Sequence, residues 1–323
     1  MRGYRLNEVF AACPPGTEKV LAQEIENLDL PLSEPPKPVM GGVELRAADR
    51  PDWLRLMAQT NLSLRSATRI LARLARFPVH HLAQLDKRAH RLDWTELLPE
   101  HSKIKVDASC HRSRIYHSDA AAQRVFKAVA DSVTAHPSTD KDDQALRIFV
   151  RIERDLCTIS VDASGAPLYR RGAKTESAKA PLRENLAAAF LMLAHWAPEQ
   201  GEALYDPMCG SGSFLLEGAQ MALRHAPGLD RAFAFEKLRI HDPAALAQLR
   251  KDLSTARRTQ LPVSVSGSDH AVGAVGAARR NLERAGLTEH VSVQHLDLDQ
   301  IQAPAERGLM MVNPPYGKRI GSH

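Results

Sequence analysis

Ala203-Leu204-Tyr205-Asp206-Pro207-Met208-Cys209-Gly210-Ser211-Gly212-Ser213 carries a short apolar run into a glycine-rich turn, and Phe214 to Ala222 continues it with helical apolar spacing. Strand, loop and helix therefore follow one another within twenty residues. Gly210 and Gly212 remove side chains where a backbone must come close to a ligand, and the helix start behind them offers free N–H groups. A tight strand-to-helix turn needs only the glycines. The Asp-Pro lead-in and the strand–loop–helix context add the expectation of a ligand held by Asp206, Pro207, Cys209, Gly210, Ser211 and Gly212. Working outward, short apolar runs at Val263–Ser266, Val291–Leu296 and Met310–Val312 alternate with a helical stretch at Ala271–Ala285. That alternation predicts an α/β domain with a parallel sheet.

A second motif, Asn313-Pro314-Pro315-Tyr316-Gly317, follows the last of these strands directly. Two prolines stiffen the turn and remove its donors. The Asn313 side-chain carbonyl and the Pro314 backbone carbonyl are left as acceptors, which suits an exocyclic amine with its two N–H donors. Holding both hydrogens aims the nitrogen lone pair, so catalysis here would be positioning. Tyr316 is placed to stack on a base. The candidate catalytic set is Asn313, Pro314, Pro315 and Tyr316.

The first half of the chain has a different pattern. Val9–Ala12, Gly42–Leu45, Lys103–Ala108, Leu146–Ile152 and Cys157–Asp162 read as strands. Helices are expected after Thr17 as a cap, from Pro51, and over Ala120–Val133, with a proline-rich loop at Leu30–Pro38. These segments predict α+β modules at residues 1–52 and 53–162, ahead of a third domain at 163–323. The net charge is +5. Residues 65 to 114 alone hold 11 Lys and Arg against 5 Asp and Glu, a surplus of six. Arg69, Arg73 and Arg76 recur at four and three residues, which a helix would place on one face. With Arg170 and Arg171 in a basic loop, they are the candidate contacts to a phosphate backbone.

The Gly loop and the Asn-Pro-Pro-Tyr turn together resemble class I S-adenosylmethionine-dependent amino-methyltransferases. Glu184-Asn185-Leu186-Ala187-Ala188-Ala189, Ala226-Pro227-Gly228-Leu229 and the Arg170-Arg171-Gly172 loop are similar to the RlmL branch of large-subunit ribosomal RNA guanine methyltransferases. The resemblance implies a Rossmann-like methyltransferase domain behind ferredoxin-like and THUMP domains. It also implies S-adenosylmethionine as cofactor and the guanine 2-amino group of 23S ribosomal RNA as acceptor. Two further cofactor carboxylates are implied: Asp269 for the ribose hydroxyls and Asp297 for the adenine amine. Glu236 is the rival for the ribose, by a spacing that counts from the Gly loop. Choosing Asp269 turns residues 224 to 260 into an insertion. Spacing and composition by themselves reach an amino-methyltransferase acting on nucleic acid. A tRNA guanine enzyme of the same domain order, a DNA adenine-amino enzyme and a non-catalytic RNA-binding protein stay open.

Cys13, Cys110, Cys157 and Cys209 are far apart and form no metal-ligand spacing with the histidines. Neither a metal nor a disulfide framework is expected, which fits a reducing cytoplasm. No long apolar run suggests a membrane span, and with structured RNA as partner no DNA is expected. The implied sheet has seven strands, whereas four can be counted before His323. A fragment of a longer protein, or a sheet completed by a partner, is therefore expected, with weak activity in the chain as it stands.

Overall fold

The computed structural model describes residues 6–139, 145–172 and 182–314. The chain divides into two compact units. One comprises Met1–Leu62, Ala67–Leu168 and Ala232–Leu249, and the other Ser63–Ser66, Tyr169–Arg231 and Arg250–His323.

The first unit is built on strands β1 (Glu8–Ala12), β2 (Lys37–Val39), β3 (Gly42–Arg46), β4 (Arg69–Pro78), β5 (Lys103–His111), β6 (His136–Pro137), β7 (Leu146–Glu153) and β8 (Leu156–Asp162). They form one continuous sheet in the order β2-β3-β1-β4-β8-β7-β5-β6. Its helices are α1 (Glu18–Glu26), α2 (Arg50–Ser63), α3 (Leu82–Ala89), α4 (Trp94–Leu97) and α5 (Ser118–Val133). Alternation along each strand sends Val9, Ala11, Val43, Ile70, Ala72, Ile148, Val150, Ile159 and Val161 into the core, as a period of two requires. Helix α1 packs against β2 and β3, and α5 against β5 and β7. Thr17 precedes α1 as expected, but its hydroxyl donates to Pro14 O at 2.8 Å. The adjoining turns are tied instead by the Glu18 carboxylate, which accepts from Gly16 N–H at 2.9 Å and Gly41 N–H at 3.0 Å.

Two sequence expectations need correction here. Arg69, Arg73 and Arg76 lie on strand β4 and not on a helix. A bulge between Arg73 and Ala75 spends two successive residues, Leu74 and Ala75, on the buried face. That extra residue resets the alternation, so all three arginines still share one face of the sheet. The proline-rich loop is also shorter than expected, because Lys37–Val39 pairs with β3.

The second unit contains helix α6 (Glu184–Leu193), strand β9 (Ala203–Asp206), helix α7 (Ser213–Ala222), strand β10 (Val265–Asp269), helix α9 (Val272–Arg284), strand β11 (Val291–His295) and strand β12 (Gly308–Met310). Between α7 and β10 comes α8 (Pro243–Thr255), which the sequence reading did not anticipate. Of the expected insertion, residues 232–249 belong to the first unit. Leu204, Phe214, Leu215, Ala219, Val265, Ala278, Leu282 and Val291 make the core. The sheet order is β11-β10-β9-β12, with every pairing parallel. Strands β10 and β11 extend the sheet to one side of β9, and β12 returns to the other. The order therefore reverses at β9 and β12, where open α/β sheets bind their ligands beyond the strands' carboxyl ends.

Candidate active site

Strand β9 ends on Asp206, and the chain turns through Met208 to Gly212 before α7 begins. Gly212 sits at φ +83 with the Ala278 Cβ 3.3 Å from where its own side chain would start. Left-handed backbone and close packing on α9 both call for glycine there. Gly210 also has a positive φ, +54, but a Cβ added to it would meet nothing within 4 Å. One glycine packs the loop onto the domain; the other leaves it open to a ligand. Cys209 N–H donates to Ser268 O at 2.9 Å, and Asn281 Nδ2 donates to Ser211 O at 2.9 Å. Asn281 was not singled out from sequence. Its signal was a small amide beside Ala278 and Leu282 on the apolar stripe of α9, where it is fully buried.

Asp269, the last residue of β10, reaches across to this loop. Its Oδ2 accepts from Gly210 N–H at 2.9 Å and its Oδ1 from Ala271 N–H at 2.9 Å. Glu236, the rival carboxylate, lies in the first unit and caps its own turn by accepting from Phe233 N–H at 2.8 Å. Asp269 thus meets the Gly loop within the second unit, whereas Glu236 belongs to the first. Asp297 heads a 3-10 turn just past β11, exposed, with its own N–H donating to Gln300 Oε1 at 3.3 Å. Leu296 N–H donates to Asp269 O at 3.3 Å, which ties the two carboxyl ends together.

Asp206 is 2% exposed. Burial pushes its carboxyl up to about 7, against the Met208 N–H that holds it down at 3.1 Å, and the neighbouring Asp269 carboxylate adds to the rise. Burial also pushes the Cys209 thiol up, so this sulfur is a packing group and no nucleophile. Two acids meet beside the Gly loop, with no cationic side chain among the causes of the Asp206 shift. Keeping Asp206 ionised at neutral pH costs about 4 kcal/mol. A cationic ligand would recover that energy.

Strand β12 runs beside β9, with Met310 opposite Tyr205 and Met311 N–H donating to Tyr205 O at 2.9 Å. Asn313 and Pro314 therefore leave the sheet next to the Gly loop, and both are exposed. Pro315 and Tyr316 lie outside the described residues. Among the described residues β12 is the edge of its sheet, and Met310 is 60% exposed.

The proposed phosphate contacts divide. Arg170 is exposed. Arg171 is not a surface residue: its side chain is 5% exposed and pairs with Glu217, while its Nη2 donates to Arg65 O at 2.8 Å. Arg65 meets the same carboxylate at 3.3 Å, which makes a buried Arg–Glu–Arg cluster. Arg69 is tied to Asp162 and Arg73 to Glu44 at 2.6 Å, whereas Arg76 is half exposed, 3.6 Å from Glu44. No group of His, Cys, Asp and Glu that could hold a metal occurs among the described residues. Nor is any described helix long and apolar enough to cross a membrane.

Three family models match in sequence order: the RlmL ferredoxin-like domain over residues 8–71, the THUMP domain over 79–162 and the RMKL-like methyltransferase domain over 171–323. The chain belongs to the RlmL-type family of THUMP-bearing methyltransferases. Ribosomal RNA large subunit methyltransferase K/L of Saccharophagus degradans is 35% identical over 97% of this chain and 43% of its own length. The chain thus spans less than half the length of this relative. Among solved structures, a possible methylase from Clostridium difficile 630 is 32% identical, with a TM-score of 0.85 over 97% of this chain and 81% of that one. SMU.472, a putative methyltransferase complexed with SAH, is 27% identical, with a TM-score of 0.84 over 100% and 83%.

Proposed function

We propose that this RlmL-type chain transfers a methyl group from S-adenosylmethionine to the exocyclic 2-amino group of a guanine in 23S ribosomal RNA, in the cytoplasm. The observation that carries the reading is the meeting of the Gly loop and the Asn313–Pro314 turn at the carboxyl ends of adjacent strands β9 and β12. The donor is supported by the relative SMU.472, a putative methyltransferase complexed with SAH. A large-subunit ribosomal RNA acceptor is supported by the name of the Saccharophagus degradans relative, and the guanine 2-amino group by the motif resemblance to the RlmL branch.

The residues fit such a cofactor. S-adenosylmethionine supplies a methyl group on a cationic sulfonium, together with an ammonium and a ribose diol. Gly210 provides the open backbone, and Asp206 and Asp269 the negative field a cation needs. Asp269 also presents carboxylate oxygens to hydroxyl donors, and Asp297 stands at the next strand end for an amine. At the acceptor side, Asn313 Oδ1 and Pro314 O take the two hydrogens of the guanine amine. The lone pair then points along the transfer axis, and the gain is one of orientation. Asn313 has no acid–base role, since an amide does not titrate in this range.

The test is product mapping. Unmodified 23S and tRNA pools are incubated with methyl-labelled S-adenosylmethionine and the chain, then digested to nucleosides. Label in N2-methylguanosine from 23S RNA is expected. Label confined to tRNA, or carried by N6-methyladenosine, would overturn the acceptor assignment and leave the amine chemistry standing.

A further inference from the structure

The Gly loop is soft by composition and has to be held from outside. Gly212 stands at φ +83 and Gly210 at φ +54, and a residue without a Cβ reaches other backbone conformations at little cost. A Cβ on Gly210 would meet nothing within 4 Å, so packing does not confine that end of the loop. A ligand that must first order such a loop binds less tightly than one that finds it already ordered. Three backbone donors of the loop are tied: Cys209 N–H to Ser268 O at 2.9 Å, Gly210 N–H to Asp269 Oδ2 at 2.9 Å and Gly212 N–H to Cys209 O at 2.7 Å. The carbonyl between them, Ser211 O, accepts from a side chain, Asn281 Nδ2, at 2.9 Å.

Asn281 shares the buried face of α9 with Ala278 and Leu282 and is itself fully buried. An amide in a core is unfavourable unless its polar ends are bonded, whereas a leucine there would carry no such penalty. Stability alone therefore does not call for an amide at this position. Its other end, Oδ1, accepts from Arg284 Nη2 at 2.6 Å. A guanidinium only donates, so Arg284 fixes which way the amide faces and directs Nδ2 to Ser211 O. The peptide joining Ser211 to Gly212 is one rigid plane. Its carbonyl rests on Asn281 and its N–H on Cys209 O, so the plane is pinned at both ends. One turn back along α9, the Ala278 Cβ lies 3.3 Å from where a Gly212 side chain would begin. Positions 278 and 281 are about 4.5 Å apart along the helix, close to the roughly 3.8 Å between successive loop residues. Ser211 and Gly212 thus each find a support on one face of α9. Pinning their shared plane sets the direction of the open backbone at Gly210 and of the first N–H groups of α7.

We propose that Asn281 is a positioning residue for the methyl donor: through Ser211 O it holds the Gly loop in the conformation that receives S-adenosylmethionine. The proposal rests on the reading of the loop as a cofactor site, and adds to it a residue that is fully buried and acts only through the loop.

Two variants test it. Asn281→Leu keeps the branched outline and removes the donor; Asn281→Asp keeps the size and, when ionised, sets an acceptor against Ser211 O. Calorimetry with S-adenosylmethionine at pH 8 should show each variant binding about 30-fold more weakly than the wild type, the scale of one buried hydrogen bond. In the chain without cofactor, the amides of Cys209, Gly210 and Gly212 should exchange with deuterium at least about 10-fold faster, while those of β9 and β10 stay within about threefold. In turnover, KM for S-adenosylmethionine should rise and kcat stay within about threefold. A residue serving stability alone would lower Tm and the folded fraction and leave that KM unchanged. Thermal melting checks folding, and Asn281→Asp carries the comparison if the leucine overpacks. Unchanged exchange at the loop, or cofactor affinity within about twofold of the wild type in a folded variant, would overturn the proposal. A wild type that binds no cofactor would contradict the cofactor reading itself, whereas wild-type binding untouched by either variant would contradict the role of Asn281 alone.

Discussion

Asp206 shows how a single buried residue couples stability to pH. Its folded carboxyl titrates near 7 against an ordinary value of 3.8, so between those limits the folded state holds a proton that the unfolded state has lost. Stability must then fall as pH rises from about 4 to about 7. Replacing Asp206 with Asn removes that slope. Chemical denaturation of both proteins at pH 5 and pH 7.5 should show a wild-type loss larger by about 2.5 kcal/mol, and equal losses would mean that the carboxyl is solvated. Asn313 is a residue of the opposite kind, exposed, and in the proposed reaction its part is orientation alone. Asn313→Ala should lower methyl transfer at least about 100-fold, the scale of a misplaced reacting group. Cofactor affinity by calorimetry should stay within twofold; its loss would make Asn313 a structural residue.

At the scale of elements, helix α7 carries more than the Gly loop at its head. Glu217 in its second turn is 1% exposed and holds two buried arginines, Arg65 and Arg171. Removing the shared anion strands two cations in the core. Glu217→Ala should cost about 3–5 kcal/mol in denaturant unfolding, and a loss under about 1 kcal/mol would mean that water reaches the cluster. Strand β4 is where sequence pattern misleads. Arginines at spacings of four and three look helical only because the Leu74–Ala75 bulge breaks the period-two alternation that would reveal a strand. A bulge is a property of strand pairing with β8, and no local window contains it. The βα alternation of the second unit, in contrast, was legible because buried parallel strands read as short apolar runs between amphipathic helices.

At the scale of the whole molecule, the sequence motifs mark the candidate site, and the fold brings the Gly loop, Asp269 and Asn313 to neighbouring strand ends. Asp206 and Gly210 announce themselves by an Asp-Pro lead and glycine spacing, and Asn313 by the prolines behind it. Asp269 could be weighed against Glu236 only by spacing. Placement at the end of β10, with a carboxylate oxygen on Gly210 N–H, is what brings it to the loop. Arg171 looked like an RNA contact because its buried partner, Glu217, is 46 residues away in sequence. Charge composition reports how many cations a chain has and says nothing of which are already paired. In the proposed reaction the carboxyl ends of β9, β10 and β12 form a site for a cationic cofactor poised at a target amine. Titration calorimetry of S-adenosylmethionine at pH 7, in two buffers of different ionisation heat, tests it most directly. Saturable binding with release of about half a proton is expected, because a cation beside Asp206 drives off the proton it shares near pH 7. Saturable binding should vanish when Gly210 is replaced by Val. Absence of binding in the wild type, or binding with no proton released and no effect of Gly210→Val, would contradict the claim.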